Sequence, residues 1–268
     1  MAKARRRAWL LPTIGQLRRL RNTCPQATSF MLRRERRDHL PAGSYAIDWA
    51  NLADISPLLI GAVVEAEDSA FFRHHGLSLR GIRYAAQQLV TRREIVSGGS
   101  TISQQLARNL YLTPERTFRR KLFEAVLALG LELFLKKSRI LELYLNCIEW
   151  GHGIWGCKQA CRYYWQKLPK DVDAFESAVL AGIIAAPRHP LDSQNVERMT
   201  GKQLTVLRGM YLREIIDMPT YVKSVAASVA MYERVTSGQD MLSALRHHGH
   251  DGGGLNFCAA GLQVNHRR

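Results

Sequence analysis

Helical spacing of apolar residues is the strongest constraint on how this chain can fold. From about residue 52 onward such residues recur at three- or four-residue intervals, whereas alternating, strand-like runs are scarce. One helix-start signal is Thr113-Pro114-Glu115, which combines a capping residue, a first-turn proline and an early acid. The apolar stripe that follows it consists of Phe118, Leu122, Val126, Leu129 and Leu133. The pattern predicts a mainly α fold.

The boundaries of one further helix are marked by its sequence. Asp173 and Glu176 resemble a capping box with aspartate in the cap position. Pro187 lacks a backbone N–H and cannot continue a helix. We therefore predict a helix that begins after Asp173 and ends before Pro187.

Composition divides the chain into three parts. Residues 1–40 form an arm in which arginine and lysine far outnumber acids, and Pro41-Ala-Gly-Ser44 is typical of a turn into a folded domain. The domain covers 41–215, a length that suits one hydrophobic core. Residues 216–268 carry a weaker pattern and include the glycine-rich stretch 251–254. We predict that this C-terminal extension is partly disordered.

The charge of the chain indicates the chemistry of its partner. The net charge is +15 and the isoelectric point is near 10.0. Such a chain suits a polyanion, and composition leaves nucleic acid, an anionic membrane surface and a phosphorylated substrate as alternatives.

Neither a transmembrane helix nor a signal peptide is evident in the sequence. No run approaches the ~20 apolar residues that a membrane-spanning helix needs. The apolar stretch 8–11 is stopped by Pro12. Membrane contact is therefore expected to be peripheral, through the arginine-rich arm before Asp38 or through the mixed basic and apolar segment 77–96, unless another chain supplies the anchor.

The first block of unusual residue choices is acidic and aromatic. Glu67 and Asp68 precede Phe71, His74 and Gly76. This order suggests a carboxylate at the edge of an apolar pocket, where burial raises the carboxyl pKa and makes the group a usable proton acceptor. The alternative is a pair of acids on a solvated helix face.

The second block is polar and follows a Gly-Gly pair at 98–99. Small hydroxyls, amides and a cation suit a phosphate-rich ligand beside a helix N-terminus. The block is not a P-loop, because the Gly-Lys-Ser/Thr ending is missing. A capped helix with a polar face is the alternative. Its candidate residues are Ser100, Thr101, Gln105, Arg108 and Asn109.

The third block is basic. Arg116, Arg120 and Lys121 precede Glu124, and the last three share one helical face. An ordinary exposed ion pair, worth about 0.3–0.5 kcal/mol, would have the same spacing. The functional interpretation is a cationic cradle with a second carboxylate, which a reaction that expels a diphosphate requires.

Taken together, the blocks resemble the peptidoglycan glycosyltransferases of family 51, both the monofunctional enzymes and the glycosyltransferase domain of bifunctional penicillin-binding proteins. Two further motifs follow in the family's order, Ile140–Asn146 leading to Lys167 and Glu176–Gly182 leading to Pro187. Five ordered motifs across about 45–210 make the resemblance specific. The chain departs from the family at Arg108, where lysine is usual, at Trp165-Gln166, and in lacking the family's N-terminal membrane helix.

The resemblance implies a lysozyme-like, two-lobed glycosyltransferase domain with a smaller, membrane-facing lobe around 77–97. It also implies a reaction. The 4-hydroxyl of an incoming lipid II would join the anomeric carbon of the growing chain, with inversion at that carbon and release of polyprenyl diphosphate.

Residue roles follow from the same resemblance. Glu67 would be the general base, and Glu124 would position reacting groups or help hold a divalent cation, Mg or Mn. Ser100 and Gln105 would bind the sugar-phosphate region. The phosphates would be neutralised by four cations, Arg108, Arg116, Arg120 and Lys121. The full set of expected substrate-binding residues is Asp68, Phe71, His74, Ser100, Thr101, Gln105, Arg108, Asn109, Arg116, Arg120 and Lys121.

The implied partners are lipid II, the nascent glycan strand, an anionic membrane surface and other cell-wall synthesis proteins, at the periplasmic face of the bacterial inner membrane. Nucleic acid is not expected, because it does not explain Glu67 and Glu124 within basic motifs. Two other functions stay open. A lysozyme-like hydrolase would share the fold and the carboxylates but needs no cations for a leaving diphosphate. A paralogue that binds lipid II without turnover would not need the acids that are present.

Overall fold

The structure is a computed structural model that describes residues 12–78, 83, 99–115, 117–188 and 192–247. Within these ranges the chain is mainly α, as predicted. The helices are α1 (Ile14–Arg19), α2 (Ser29–Arg37), α3 (Pro57–Asp68), α4 (Ile102–Tyr111), α5 (Phe118–Phe134), α6 (Lys137–Cys147), α7 (Cys157–Trp165), α8 (Ala174–Ile184), α9 (Ser193–Leu212), α10 (Met218–Thr236) and α11 (Met241–Arg246). A small antiparallel hairpin joins β1 (Glu149–Gly151) to β2 (Ile154–Trp155).

Helix α8 lies at the centre of the fold. Each of its residues is buried, and it packs against α3, α9 and α10. The Asp173 side chain accepts a hydrogen bond from the backbone N–H of Glu176, so the predicted capping box is confirmed. The helix ends at Ile184, ahead of Pro187 as predicted. A helix that is apolar on all sides is stable only in such a central position.

A second group of helices forms around α4, which packs against both α5 and α6. Helix α3 contacts α4 as well as α8, and it therefore connects this group to the central helix. The smaller lobe that the resemblance places around 77–97 falls almost entirely on 79–82 and 84–98, which lie outside the described residues. The two-lobed arrangement stays a prediction.

The N-terminal segment from residue 12 is folded against the domain rather than forming an arm. Helix α1 packs on α5 and α2 packs on α4. Leu17, Leu20 and Met31 are buried in these contacts, and so is Arg34. Sequence reasoning overlooked these apolar positions because arginines surround them, although long arginine side chains can leave such a helix amphipathic. Residues 1–11 lie outside the described residues.

The C-terminal extension also contributes to the core. Met231 and Val235 on α10 and Met241 and Leu245 on α11 are buried, so the packed unit continues to Arg246. The boundary predicted at residue 215 therefore falls inside the packed unit. Residues 248–268, to which the glycine-rich stretch belongs, lie outside the described residues.

The start of α5 differs from the prediction. The helix begins at Phe118, and its cap is Thr117, whose hydroxyl accepts a hydrogen bond from the backbone N–H of Arg120 at 3.2 Å. Thr113 is buried in the connection between α4 and α5. The motif at 113–115 thus has the composition of a helix start but lies one turn too early.

Helix α5 turns its apolar stripe toward solvent. Phe118 and Leu133 at its ends are each 74% exposed, and the other members are exposed as well: Leu122, Val126 and Leu129. The opposite face buries Arg120, Glu124, Leu127, Ala128 and Leu131. An amphipathic helix usually buries its apolar stripe. This reversal leaves an apolar surface that the described residues do not cover, and it places two charged residues inside the protein.

Asn146 on α6 provides a direct test of the packing. Its amide is fully buried, accepts a hydrogen bond from Ala50 N at 2.8 Å and donates to Ala50 O at 2.9 Å. Asn146→Ala leaves both Ala50 groups without partners, so we expect the free energy of unfolding to fall by about 2–4 kcal/mol in chemical denaturation. Asn51→Ala, which removes an exposed side chain bonded to Asp54, is the control and should change it by less than ~0.5 kcal/mol. Equal losses in the two variants would contradict this role of Asn146.

Candidate active site

Glu67 lies near the C-terminal end of α3 and faces α4. Its Oε2 atom accepts a hydrogen bond from Gln105 Nε2 at 2.8 Å, and Gln105 Oε1 accepts one from the Tyr144 hydroxyl at 3.0 Å. Burial raises the pKa of the Glu67 carboxyl, whereas the Gln105 hydrogen bond and the charges of Lys202 and Arg108 lower it. The net direction is upward, which suits a carboxyl that exchanges a proton with a substrate near neutral pH.

Asp68 is buried and connects two helices. Its carboxylate accepts a hydrogen bond from the backbone N–H of Ile102, the first residue of α4, at 3.1 Å, and it lies 2.9 Å from His74 Nε2. His74 Nδ1 accepts from the N–H of Gly76 at 3.1 Å. A neutral imidazole that accepts at Nδ1 carries its proton at Nε2, so we assign that tautomer and a donated bond to Asp68. Asp68 and His74 thus use their polar atoms within the protein.

The turn at Gly76 completes this network. Thr101 donates from its hydroxyl to Gly76 O at 2.6 Å and also caps α4. Gly76 has a φ of +90°, and a Cβ atom there would approach Ala128 O to 3.1 Å. Phe71 is fully buried, with Lys137 Nζ 4.2 Å from its ring centroid. The contacts of Asp68, Phe71, His74 and Thr101 indicate that they position the site.

The second and third sequence blocks meet at Glu124. The side chain is 1% exposed and pairs with Arg120, while its Oε2 accepts from Lys121 Nζ at 2.9 Å. Lys121 Nζ also donates to Ser100 Oγ at 2.6 Å, and Arg120 donates to Glu115 O. A buried carboxylate with one oxygen toward each cation holds both cations in place. The exposed ion pair considered as an alternative does not describe this arrangement.

Most of the predicted site residues not yet described line a cavity of about 370 Å³. Its size is typical of a small-molecule site. The Nε atom of Arg108 is buried and has no hydrogen-bond partner among the described residues. The atom is therefore available to an anionic ligand that enters the cavity. Polar lining side chains include Gln105, Arg108, Asn109, Arg120 and Tyr144.

The cavity also contains two residues that sequence reasoning missed. Arg188 donates from Nε to Glu149 Oε2 at 3.0 Å. Glu149 is buried, and its Oε1 accepts from the N–H of Gly153 at 3.1 Å and lies 3.7 Å from Arg34 Nη1. Arg188 directly follows Pro187 at the end of the fifth motif, which was the available signal. Its partner Glu149 is 39 positions away and could not be paired with it by local spacing.

Two predictions about ligands are left without support from the geometry. Arg116 lies outside the described residues. No group of three or more histidine, cysteine, aspartate or glutamate side chains is arranged to hold a metal in the described part of the chain. Glu124 already directs its carboxylate oxygens at Arg120 and Lys121. The described residues therefore offer no evident ligand set, and a divalent cation, Mg or Mn, stays a prediction.

Comparisons with known proteins identify the family. The family model described as transglycosylase matches residues 40–211. The chain belongs to this family. It is 42% identical over 174 residues to a biosynthetic peptidoglycan transglycosylase of Alcanivorax borkumensis, a match that covers 65% of this chain and 69% of the relative.

Two other relatives carry the same name. The Laribacter hongkongensis protein is 37% identical over 188 residues, 69% of this chain and 82% of its own length. The Chromobacterium violaceum protein is 37% identical over 210 residues, 77% of this chain and 90% of its own length. In this transglycosylase the side chains of the cavity, apart from Phe30, and the Glu67 contacts lie within the matched range, whereas helices α10 and α11 lie beyond it.

The Gln105 contact predicts a change in pH dependence. Its hydrogen bond favours the ionised form of Glu67, so Gln105→Ala should raise the Glu67 pKa further. A general base acts only when ionised, and the acidic limb of the kcat/KM profile for glycosyl transfer should therefore move to higher pH. Tyr144→Phe leaves the Gln105 amide donor intact and should move the limb less. Superimposable acidic limbs for Gln105→Ala and the unmodified protein would show that this bond does not tune the base.

Proposed function

We propose that this chain polymerises lipid II into peptidoglycan glycan strands, with inversion at the anomeric carbon and release of polyprenyl diphosphate. The observation that carries the proposal is the position of Glu67. Its pKa is raised by burial, and it is joined through Gln105 to a cavity that contains Arg108 and Arg120. The names of the relatives support the same conclusion.

In the proposed reaction Glu67 acts on the acceptor. Its carboxylate accepts the proton of the 4-hydroxyl while the oxygen attacks the anomeric carbon of the growing chain. The bond from that carbon to the diphosphate oxygen breaks, and the diphosphate leaves with the bonding electrons. Attack from the side opposite the leaving group inverts the carbon. Gln105 fixes the orientation of the base during this step.

Three cations bind the leaving diphosphate in the proposed reaction. The buried Nε atom of Arg108 has no partner among the described residues, and Glu124 holds Arg120 and Lys121 in place. Charge-assisted hydrogen bonds of this kind contribute roughly 1.5–3 kcal/mol each. Ser100, which is bonded to Lys121, lies where a phosphate oxygen could replace its hydroxyl as a partner of the ammonium group. Glu124 therefore positions the cations.

A lysozyme-like hydrolase is the second candidate, because a carboxyl with a raised pKa could also donate a proton to a glycosidic oxygen. Its leaving group is a neutral sugar hydroxyl, which gains nothing from a cavity with several arginines. The cationic lining favours the transferase. Incubation with lipid II and with preformed glycan strands separates the two, since the hydrolase would shorten the strands.

Replacement of the base tests the function directly. Glu67→Gln keeps the size and hydrogen bonding of the side chain but cannot accept a proton at neutral pH. Loss of a positioned base typically costs ~10²–10⁴ in rate, so we expect polymerisation of lipid II on gels to fall by that factor while lipid II binding persists. Glu65→Gln, on the same helix but paired with Arg213, is the matched control and should stay active. Near-normal turnover by Glu67→Gln would remove the residue from this role.

Arg108 tests the contact with the diphosphate. Arg108→Lys keeps a cation in the cavity and should stay active, whereas Arg108→Ala should reduce donor use by about 10–100-fold through loss of a charge-assisted contact. The measurement is kcat/KM for lipid II. Arg162→Ala, an exposed arginine on α7 paired with Asp48, controls for loss of charge. Equal rates for Arg108→Ala and Arg162→Ala would show that Arg108 does not touch the phosphates.

The proposed location is the periplasmic face of the bacterial inner membrane, with peripheral contact to the bilayer. Among the described residues, no helix combines the length and apolar character that crossing a bilayer requires. The exposed stripe of α5 offers an apolar surface, and the net charge of +15 favours anionic lipid. Because α1 and α2 pack against α4 and α5, the residues from 12 onward contribute through this folded surface rather than as a free arm.

Substitutions in the stripe test this contact. The triple variant Phe118→Ser, Leu122→Ser, Leu133→Ser alters exposed side chains and should leave the core intact. We expect it to reduce co-sedimentation with phosphatidylglycerol-containing liposomes by at least about tenfold, since each side chain contributes on the order of 1 kcal/mol when it enters the headgroup layer. A variant with Leu212→Ser and Val222→Ser, exposed apolar residues on α9 and α10, is the control. Undiminished liposome binding by the triple variant would exclude the α5 stripe as the contact.

A further inference from the structure

A second, larger cavity lies next to the 370 Å³ cavity that contains Arg108 and Arg120. Its volume is about 710 Å³. The β1–β2 hairpin contributes one side, α7 contributes Tyr163 and Tyr164, and the segment 235–242 closes the other side. The last of these comes from α10, α11 and the turn between them, which lie beyond the residues matched by the family model.

The wall formed by α11 is firmly attached to α7. Trp165 Nε1 donates to Leu245 O at 3.3 Å, and Arg246 Nη2 donates to Tyr163 O at 2.8 Å. Asp240 caps the helix by accepting from the N–H groups of Leu242 and Ser243. The side chains at the start of α11 are therefore held in fixed positions, as a preformed binding site requires.

The two cavities are adjacent. Pro187 and Arg188 line both of them. Arg188 is held by the buried Glu149. A chain-like ligand that extends from the 370 Å³ cavity beyond Arg188 would therefore reach the larger cavity.

The lining of the larger cavity suits a saccharide. Its floor is apolar, with Ile183, Val235 and Met241 buried, while Tyr163 at the rim is half-exposed. Gln239 adds amide hydrogen-bonding groups to this rim. Sugar rings present apolar faces and hydroxyl edges, which match an aromatic side chain and an apolar floor beneath a polar rim.

Given the proposed function, the orientation of the growing strand favours the same cavity. The diphosphate of a growing strand is at its reducing end, beside Arg120 and Lys121. The sugars already added must extend away from those cations, and the larger cavity, which shares Pro187 and Arg188 with the smaller one, lies within reach of them. We propose that the larger cavity binds the growing glycan strand one or more sugars beyond the reaction centre, and that α10 and α11 supply this site.

The test is binding of a lipid-free strand. Isothermal titration with soluble oligosaccharides of alternating N-acetylglucosamine and N-acetylmuramic acid uses the full chain. Tyr163→Ala removes the exposed ring, and Leu242→Trp fills the cavity from α11. Each should weaken binding by about fivefold or more, the loss that about 1 kcal/mol produces. Val222→Ala, on the exposed surface of α10, should bind as the unmodified protein does.

Two results would overturn the proposal: absence of oligosaccharide binding by the unmodified protein, and equal affinity in Tyr163→Ala, Leu242→Trp and the control. Thermal melting identifies any variant that fails to fold, and the other variant then decides. A polymerisation assay provides an independent readout, in which both variants should shorten the strands more than they slow lipid II consumption. A different outcome separates the site from the function. If the unmodified protein binds the oligosaccharide but does not polymerise lipid II, and both variants lose that binding, the site is supported and the proposed function is contradicted.

Discussion

The hydrogen bond from the Ile102 N–H to the buried Asp68 carboxylate is the contact on which the rest of the site depends. It fixes the end of α3 against the start of α4. Because Glu67 precedes Asp68 and Gln105 lies in the first turn of α4, the same contact sets the distance between the proposed base and its hydrogen-bond donor. His74 and Gly76 extend this network to the turn that passes α5. In the proposed mechanism the acidic pair therefore has two roles, with Glu67 acting on the substrate and Asp68 fixing the position of Glu67.

The second constraint is charge balance around Glu124. Several cations near one cavity would repel one another, and each would be destabilised by burial. The buried Glu124 carboxylate offsets this cost for Arg120 and Lys121, and Glu149 has the same relation to Arg188. Arg108 is the exception, since its buried Nε has no partner among the described residues. Its charge acts on Glu67, whose pKa it lowers, and under the proposed function a diphosphate would give the Nε atom a partner.

The sequence predicted local features better than it predicted which helix faces are covered and which residues remote in sequence are in contact. The Asp173 capping box and the mainly α fold follow from short-range patterns and are confirmed. The α5 stripe shows the limit, because periodicity identifies an apolar face but does not determine whether protein or another environment covers it. The packing of α1 and α2 was missed because arginines mask the few buried apolar positions. Arg188 was missed because its partner Glu149 is remote in sequence, and no spacing rule connects two such residues before the chain is folded.

The most direct test of the account is the stereochemistry of the bond that the unmodified protein makes. The protein is incubated with lipid II, and the anomeric configuration of the new glycosidic linkage is determined by NMR. Direct attack by a hydroxyl that Glu67 deprotonates predicts strands whose linkages have the configuration opposite to the donor bond, with one polyprenyl diphosphate released for each linkage. Strands with retained configuration would require a covalent intermediate and would contradict the role given to Glu67. Lipid II left unchanged would contradict the function itself.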